Sequence, residues 1–146
     1  MKNKILNLLI ILVLVLLVSC SDNDDNGQIV VDEVGSVEYF INNKTTKDLV
    51  LIFEKSEELG SEIDTTRVIS SDISLLILED SVIGQNPVPE DSLEEIKLYE
   101  ASNLAVPLST FSPVNNEDWT ITSQELGNYG FGLTSYEIII TDSILD

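Results

Sequence analysis

The stretch Val37-Glu38-Tyr39-Phe40-Ile41, closed by Asn42-Asn43-Lys44, decides how the chain is read. Val37, Tyr39 and Ile41 recur at every second position, the period of a strand with one buried face. The Asn-Asn-Lys that follows is a turn signal. Next comes Leu49-Val50-Leu51-Ile52-Phe53, apolar at every position. A run of strand length with no polar face predicts a central strand covered on both sides.

Outward from these two runs the same grammar continues. Residues 54–66, rich in Glu, Ser, Asp and Thr around Gly60, read as a loop, and Arg67 to Ser70 as a short strand. Ser74-Leu75-Leu76-Ile77-Leu78 is a further apolar run. Residues 84–90 contain Pro87 and Pro89 and so cannot be a central strand, because proline lacks the ladder donor. Ile96 and Leu98 then alternate with Lys97 and Tyr99, and Ser92 with Glu95 is placed to cap one helical turn before them. Trp119 and Ile121 alternate with Asp118, Thr120 and Thr122. The last strand runs from Tyr136 to Thr141, with Tyr136, Ile138 and Ile140 on one face. About seven short strands with turns between them predict an all-β domain over 34–146. The expected form is a single antiparallel β-sandwich of immunoglobulin-like type, with a small up-and-down barrel as the alternative.

Composition removes several functional classes. The 146 residues hold 7 Lys+Arg against 26 Asp+Glu, one Cys and no His, a formal charge of -19. Without His there is no Ser-His-Asp triad, Cys-His dyad or imidazole-dependent zinc site. One Cys allows no internal disulfide and no CxxC pair. Phosphate-rich partners would be repelled, so nucleic acid is not an expected partner. No cofactor is expected either, and nothing resembles a nucleophile elbow or a metal cluster, so the chain does not read as an enzyme. With 26 acids a carboxylate-based hydrolase is the catalytic alternative, but no pattern singles out a pair.

The amino terminus carries the most specific signal. Met1-Lys2-Asn3-Lys4 is a short positive start, and Ile5 to Val18 is apolar except for Asn7. That run is shorter than the about 20 residues a spanning helix needs, and has the form of a signal-peptide core. It ends in Leu17-Val18-Ser19-Cys20, which is similar to the lipobox of bacterial lipoproteins. In that class a diacylglyceryl group is attached to the Cys sulfur, the signal peptide is cut just before it, and the new amino terminus is usually acylated. The resemblance implies a signal peptide over 1–19 and lipidation at Cys20, the only soft nucleophile in the chain. Buried acyl chains contribute about 0.8 kcal/mol per CH₂, so one chain holds a protein marginally and two or three hold it durably.

Behind Cys20 lies Ser21-Asp22-Asn23-Asp24-Asp25-Asn26-Gly27, with no apolar residue. Such a segment buries too little to fold, so residues 20–33 are expected to act as a lipidated Cys on a flexible acidic tether. The pattern resembles the acidic export signal of Bacteroidota-type surface lipoproteins, which implies the outer membrane and a surface-facing position. The same stretch also fits D-x-[DN]-x-[DN]-G-x₅-E: Asp22, Asp24, Asn26, Gly27 and Glu33 stand at positions 1, 3, 5, 6 and 12, with the aliphatic Ile29 at the eighth. Alternating oxygens with a closing Glu suit Ca²⁺, making an EF-hand-like loop over 22–33 the alternative function. No entering helix precedes it, however, and Val34 to Tyr39 alternates like a strand, so no metal site is assigned.

Other candidates have plainer explanations. Trp119 and Tyr136 have the chemistry of a sugar-stacking platform, but their alternating context assigns them to the core. Tyr129 and Phe131, in Asn128-Tyr129-Gly130-Phe131-Gly132, are the better stacking candidates, because the glycines imply an irregular, exposed segment, but packing across a tight bend is the favoured reading, and the segment lacks the third Gly of a dinucleotide loop. Four stretches resemble the Asp-(Ser/Thr)-aliphatic/Thr pattern of O-glycosylation in exported Bacteroidota proteins: Asp64-Thr65-Thr66, Asp80-Ser81-Val82, Asp91-Ser92-Leu93 and Asp142-Ser143-Ile144. All four are expected near loops or chain ends. Together these features describe a lipid-anchored envelope protein whose sandwich is a non-catalytic binding or structural module. Its expected partners are the membrane, through the lipid, and an envelope protein or glycan.

Overall fold

The computed structural model describes residues 33–145. Eight strands form two four-stranded sheets that face each other without closing into a barrel. The first sheet has the order β4-β1-β8-β7, from Ile73–Ile83, Val34–Asn43, Gly132–Ile140 and Thr120–Leu126. The second has the order β3-β2-β5-β6, from Ile63–Thr65, Leu49–Lys55, Leu93–Glu100 and Ser109–Phe111. This is a β-sandwich. The expected sandwich is present, mainly antiparallel, with two details the sequence did not carry. β1 and β8 run parallel, Ser36 beside Leu133 through Asn43 beside Ile140, while every other pair is antiparallel. The four-plus-four strand order also differs from the ABED and CFG sheets of an immunoglobulin constant domain.

The alternation in β1 governs the core. Val37, Tyr39 and Ile41 are buried and pack on Leu49, Leu51 and Phe53 of β2, on Ile96 and Leu98 of β5 and on Ile138 and Ile140 of β8. β1 and β2 are consecutive yet lie in different sheets, so the link between them must cross the sandwich. Asn43 pins that crossing. Its amide donates to the carbonyls of Lys47 and Ile69, each at 2.8 Å, and its Oδ1 accepts from the Thr45 N–H and hydroxyl at 3.0 and 2.8 Å. A fully buried amide is tolerated because donor and acceptor are both satisfied. At the other end of β1, a side chain at Gly35 would run into the Gln85 carbonyl, which lets the two segments lie in contact.

Several local readings change. The loop expected over 54–66 contains the short edge strand β3, and the strand expected at Arg67 to Ser70 is reduced to one bridge, Leu49 with Ile69. The helical turn is α1, Pro89–Ser92, and its cap is Asp91, whose carboxylate accepts from the Val88 N–H at 3.1 Å. Ser92 therefore ends the turn instead of starting one. Trp119 caps a 3₁₀ turn, and Ile121, in the outer strand β7, faces solvent.

Ser92 is buried with Tyr39. Its hydroxyl donates to the Asp80 carboxylate at 2.7 Å, which leaves its oxygen to accept from the Tyr39 hydroxyl at 2.9 Å. The Tyr39 ring stacks on Tyr136 at 5.9 Å and meets Trp119 edge-on at 5.6 Å and 73°. Burial, against the lowering effect of the Ser92 bond, pushes the Tyr39 phenol well above the tyrosine range, helped by the Asp80 charge. Tyr136 is raised by burial and then by the Asp91 charge.

Ser92→Ala leaves the Tyr39 hydroxyl without its acceptor and is expected to cost about 1–3 kcal/mol in urea unfolding followed by Trp119 fluorescence. In alkali the unfolded phenols ionise near 10 while Tyr39 stays neutral in the fold. Its contribution is thus complete below pH ~10 and is lost as pH rises toward the folded value. Stability measured against pH should fall above that point, less steeply in Tyr39→Phe.

Candidate functional site

The site begins with a pairing rule. Within the described residues, Lys44 pairs with Asp72 at 3.0 Å, Lys47 with Glu100 at 3.9 Å, Lys55 with Asp64 and Glu62 at 2.8 and 3.1 Å, and Lys97 with Glu95. Lys55 is raised above the usual lysine value by the hydrogen bonds its ammonium donates to those two carboxylates, Asp64 first. Arg67, the only arginine in the chain, has no such carboxylate among the described residues.

Arg67 lies on the wall of a cleft of about 370 Å³ between β3 and β4, the edge strands of the two sheets among the described residues. Asp64, Thr65 and Thr66 share its wall, Leu75, Leu76 and Ile77 of β4 form the other, and Phe53 lies between them. Local structure explains both walls. The segment after β3 is held on β2 by Thr66, whose N–H donates to the Leu51 carbonyl at 2.9 Å and whose hydroxyl accepts from the Leu51 N–H at 3.0 Å. On β4 the register with β1 slips between Tyr39 and Phe40, so that Leu78 and Leu76 are paired and Ile77 is the extra residue of a bulge. Bulges re-aim side chains, and here Ile77 lines the cleft. An apolar trough with one guanidinium suits a ligand that is mostly apolar and carries a carboxylate.

The residues singled out from sequence are scattered. Cys20, Asp22, Asp24, Asn26 and Gly27 lie outside the described residues. Glu33 stands just before β1, and its carbonyl accepts from the Gly84 N–H at 2.8 Å, so a strand and not an EF-hand's exiting helix follows it. Trp119 belongs to the core and Tyr136 stacks half-buried on Tyr39. Tyr129 is 77% exposed at the tip of the β7–β8 hairpin, where Gly130 takes φ 86°, so the glycine-rich segment is the exposed one and packing across the bend falls to the half-buried Phe131 alone. Asn86 holds that hairpin, donating to the Gly130 carbonyl at 2.8 Å and accepting from the Gly132 N–H at 3.2 Å.

The acidic residues nearest the aromatic cluster have structural work. Asp80 accepts from Ser92, and Asp91 accepts from Gln85 at 3.0 Å as well as from Val88. Among the described residues no three His, Cys, Asp or Glu side chains are grouped to hold a metal ion. Sequence reasoning did not find the cleft, because Arg67 and Ile77 meet only through the crossing between sheets. The one legible hint was that Arg67 stands alone of its kind.

Comparison of the chain with protein-family models and with curated proteins returns no match.

Thr65, Ser81 and Ser143 are exposed, whereas Ser92 is fully buried and bonded on both sides. Glycopeptide mapping of protein from its native host should therefore recover the Ser92 peptide unmodified, with any O-glycan confined to the other three positions.

Proposed function

We propose that the protein is a lipid-anchored lipoprotein of the cell envelope, held in the outer membrane facing the cell surface, whose sandwich serves as a non-catalytic binding module. The observation that carries the reading is the Leu17-Val18-Ser19-Cys20 box at the end of an apolar run with a lysine start. The anchor supplies attachment and the folded domain supplies recognition. In this reading attachment is by acyl chains on Cys20, and among the described residues no helix is long and apolar enough to cross a membrane. A chain beginning at Cys20 loses Lys2 and Lys4 but keeps every acidic residue, so it is more strongly anionic than the full sequence. That charge favours a domain standing off an anionic surface and available to partners in solution. The cleft beside Arg67 is the recognition surface in this reading.

Intact-mass spectrometry of protein from its native host should find a chain beginning at Cys20 with acyl mass on the sulfur. Cys20→Ala should move the protein from the membrane fraction to the soluble or precursor form, and protease shaving of whole cells should degrade the wild type. A bare thiol, or any other first residue, would remove the proposal.

A further inference from the structure

The four edge strands differ in how they are protected. β3 and β6 are three residues each, and short edges offer little to pair with. β7 is longer, but its sequence Thr-Ile-Thr-Ser-Gln-Glu-Leu is mostly polar. β4 is the exception in length and apolarity, and its blunting is limited to the bulge at Ile77. It is eleven residues long, contains no Pro and no Lys, and runs Ile73-Ser74-Leu75-Leu76-Ile77-Leu78 before its first charge at Glu79. Natural edges of that length and apolarity are normally covered or blunted, because their outward N–H and C=O groups are a template for another strand.

We propose that the β4 edge and the adjoining cleft accept an extended polypeptide segment of a partner protein. The incoming strand pairs its backbone with β4, lays alternate apolar side chains against Phe53, Leu75 and Ile77, and gives a carboxylate to Arg67. The inference rests on the reading of the sandwich as a binding module and names its partner chemistry. Strand addition takes affinity from main-chain bonds and specificity from pockets that read every second side chain. The apolar cleft supplies the pocket. Arg67 supplies the polar test, since a planar guanidinium binds a carboxylate through two parallel bonds and its neighbour Asp64 is already engaged by Lys55. Charge selects among occupants. A second copy of this chain would bring two bodies of charge -19 together, whereas one acidic group on an apolar strand meets the one unmatched guanidinium of the described residues. An apolar carboxylate without a backbone would leave the β4 ladder groups unused.

The experiment is selection of randomised peptides displayed on phage against the full chain in detergent, with synthetic versions of the enriched sequences measured by fluorescence polarisation. The expected result is enrichment of sequences that alternate aliphatic residues and carry one Asp or Glu at a fixed position. Arg67→Glu should weaken binding at least tenfold, and exchanging the peptide's acid for Lys should restore it. Ile77→Lys, whose long stem keeps the strand covered while its ammonium enters the cleft, should weaken binding of either peptide. Trp119 fluorescence and thermal unfolding check that both variants fold. No enrichment above background overturns the proposal, as does binding that is equal in wild type and in folded variants. A concentration-dependent dimer, lost in Ile77→Lys and unaccompanied by peptide enrichment, would reassign the edge to a second copy. The mass of the amino terminus reads the anchor separately, so failure here leaves that proposal standing and failure there leaves this one.

Discussion

A phenol hydroxyl in the middle of an apolar core is the constraint around which this sandwich is arranged. Tyr39 has no solvent contact, so its O–H needs a partner within the protein or the strand that carries it cannot be buried. The partner comes from the turn between β4 and β5: Ser92 accepts from Tyr39 and passes its own proton toward Asp80 on β4. Three segments are thereby joined by two bonds, and the helical turn α1 exists to deliver Ser92 to that point. The serine is also removed from any chemistry on the surface, whatever its sequence context suggests.

The strand pattern was legible wherever one face meets the core. Val37, Tyr39 and Ile41, or Tyr136, Ile138 and Ile140, announce their buried faces by period alone. Of the edge strands, β4 was legible from its apolar run, whereas β3 and β7 were not. β3 and β7 are exposed along their whole length, and a strand with no buried face leaves no period to read. Trp119 shows the converse error: alternation around it suggested a strand, but tertiary packing on Tyr39 decides its place. Parallel pairing of β1 with β8 was invisible because it joins residues about a hundred positions apart, Ser36 with Leu133 through Asn43 with Ile140, with nothing local to record it.

The cleft was illegible for the same reason. Its walls belong to different sheets, and only the crossing from β3 to β4 brings Arg67 opposite Ile77. Composition did carry half of the message. In a chain with 26 acids, four described lysines are matched to carboxylates and one guanidinium is not. Exposed pairs of this kind contribute little stability, about 0–1 kcal/mol each. Their arrangement matters more for what it leaves over.

The first and last strands of the described domain lie side by side at the centre of one sheet. Until β8 has been synthesised, β1 has a neighbour on one flank only, and the layer that covers Leu51 and Leu98 is incomplete. The central seam of that sheet is thus the contact with the highest loop-closure cost, and until it forms the two layers have no complete core between them.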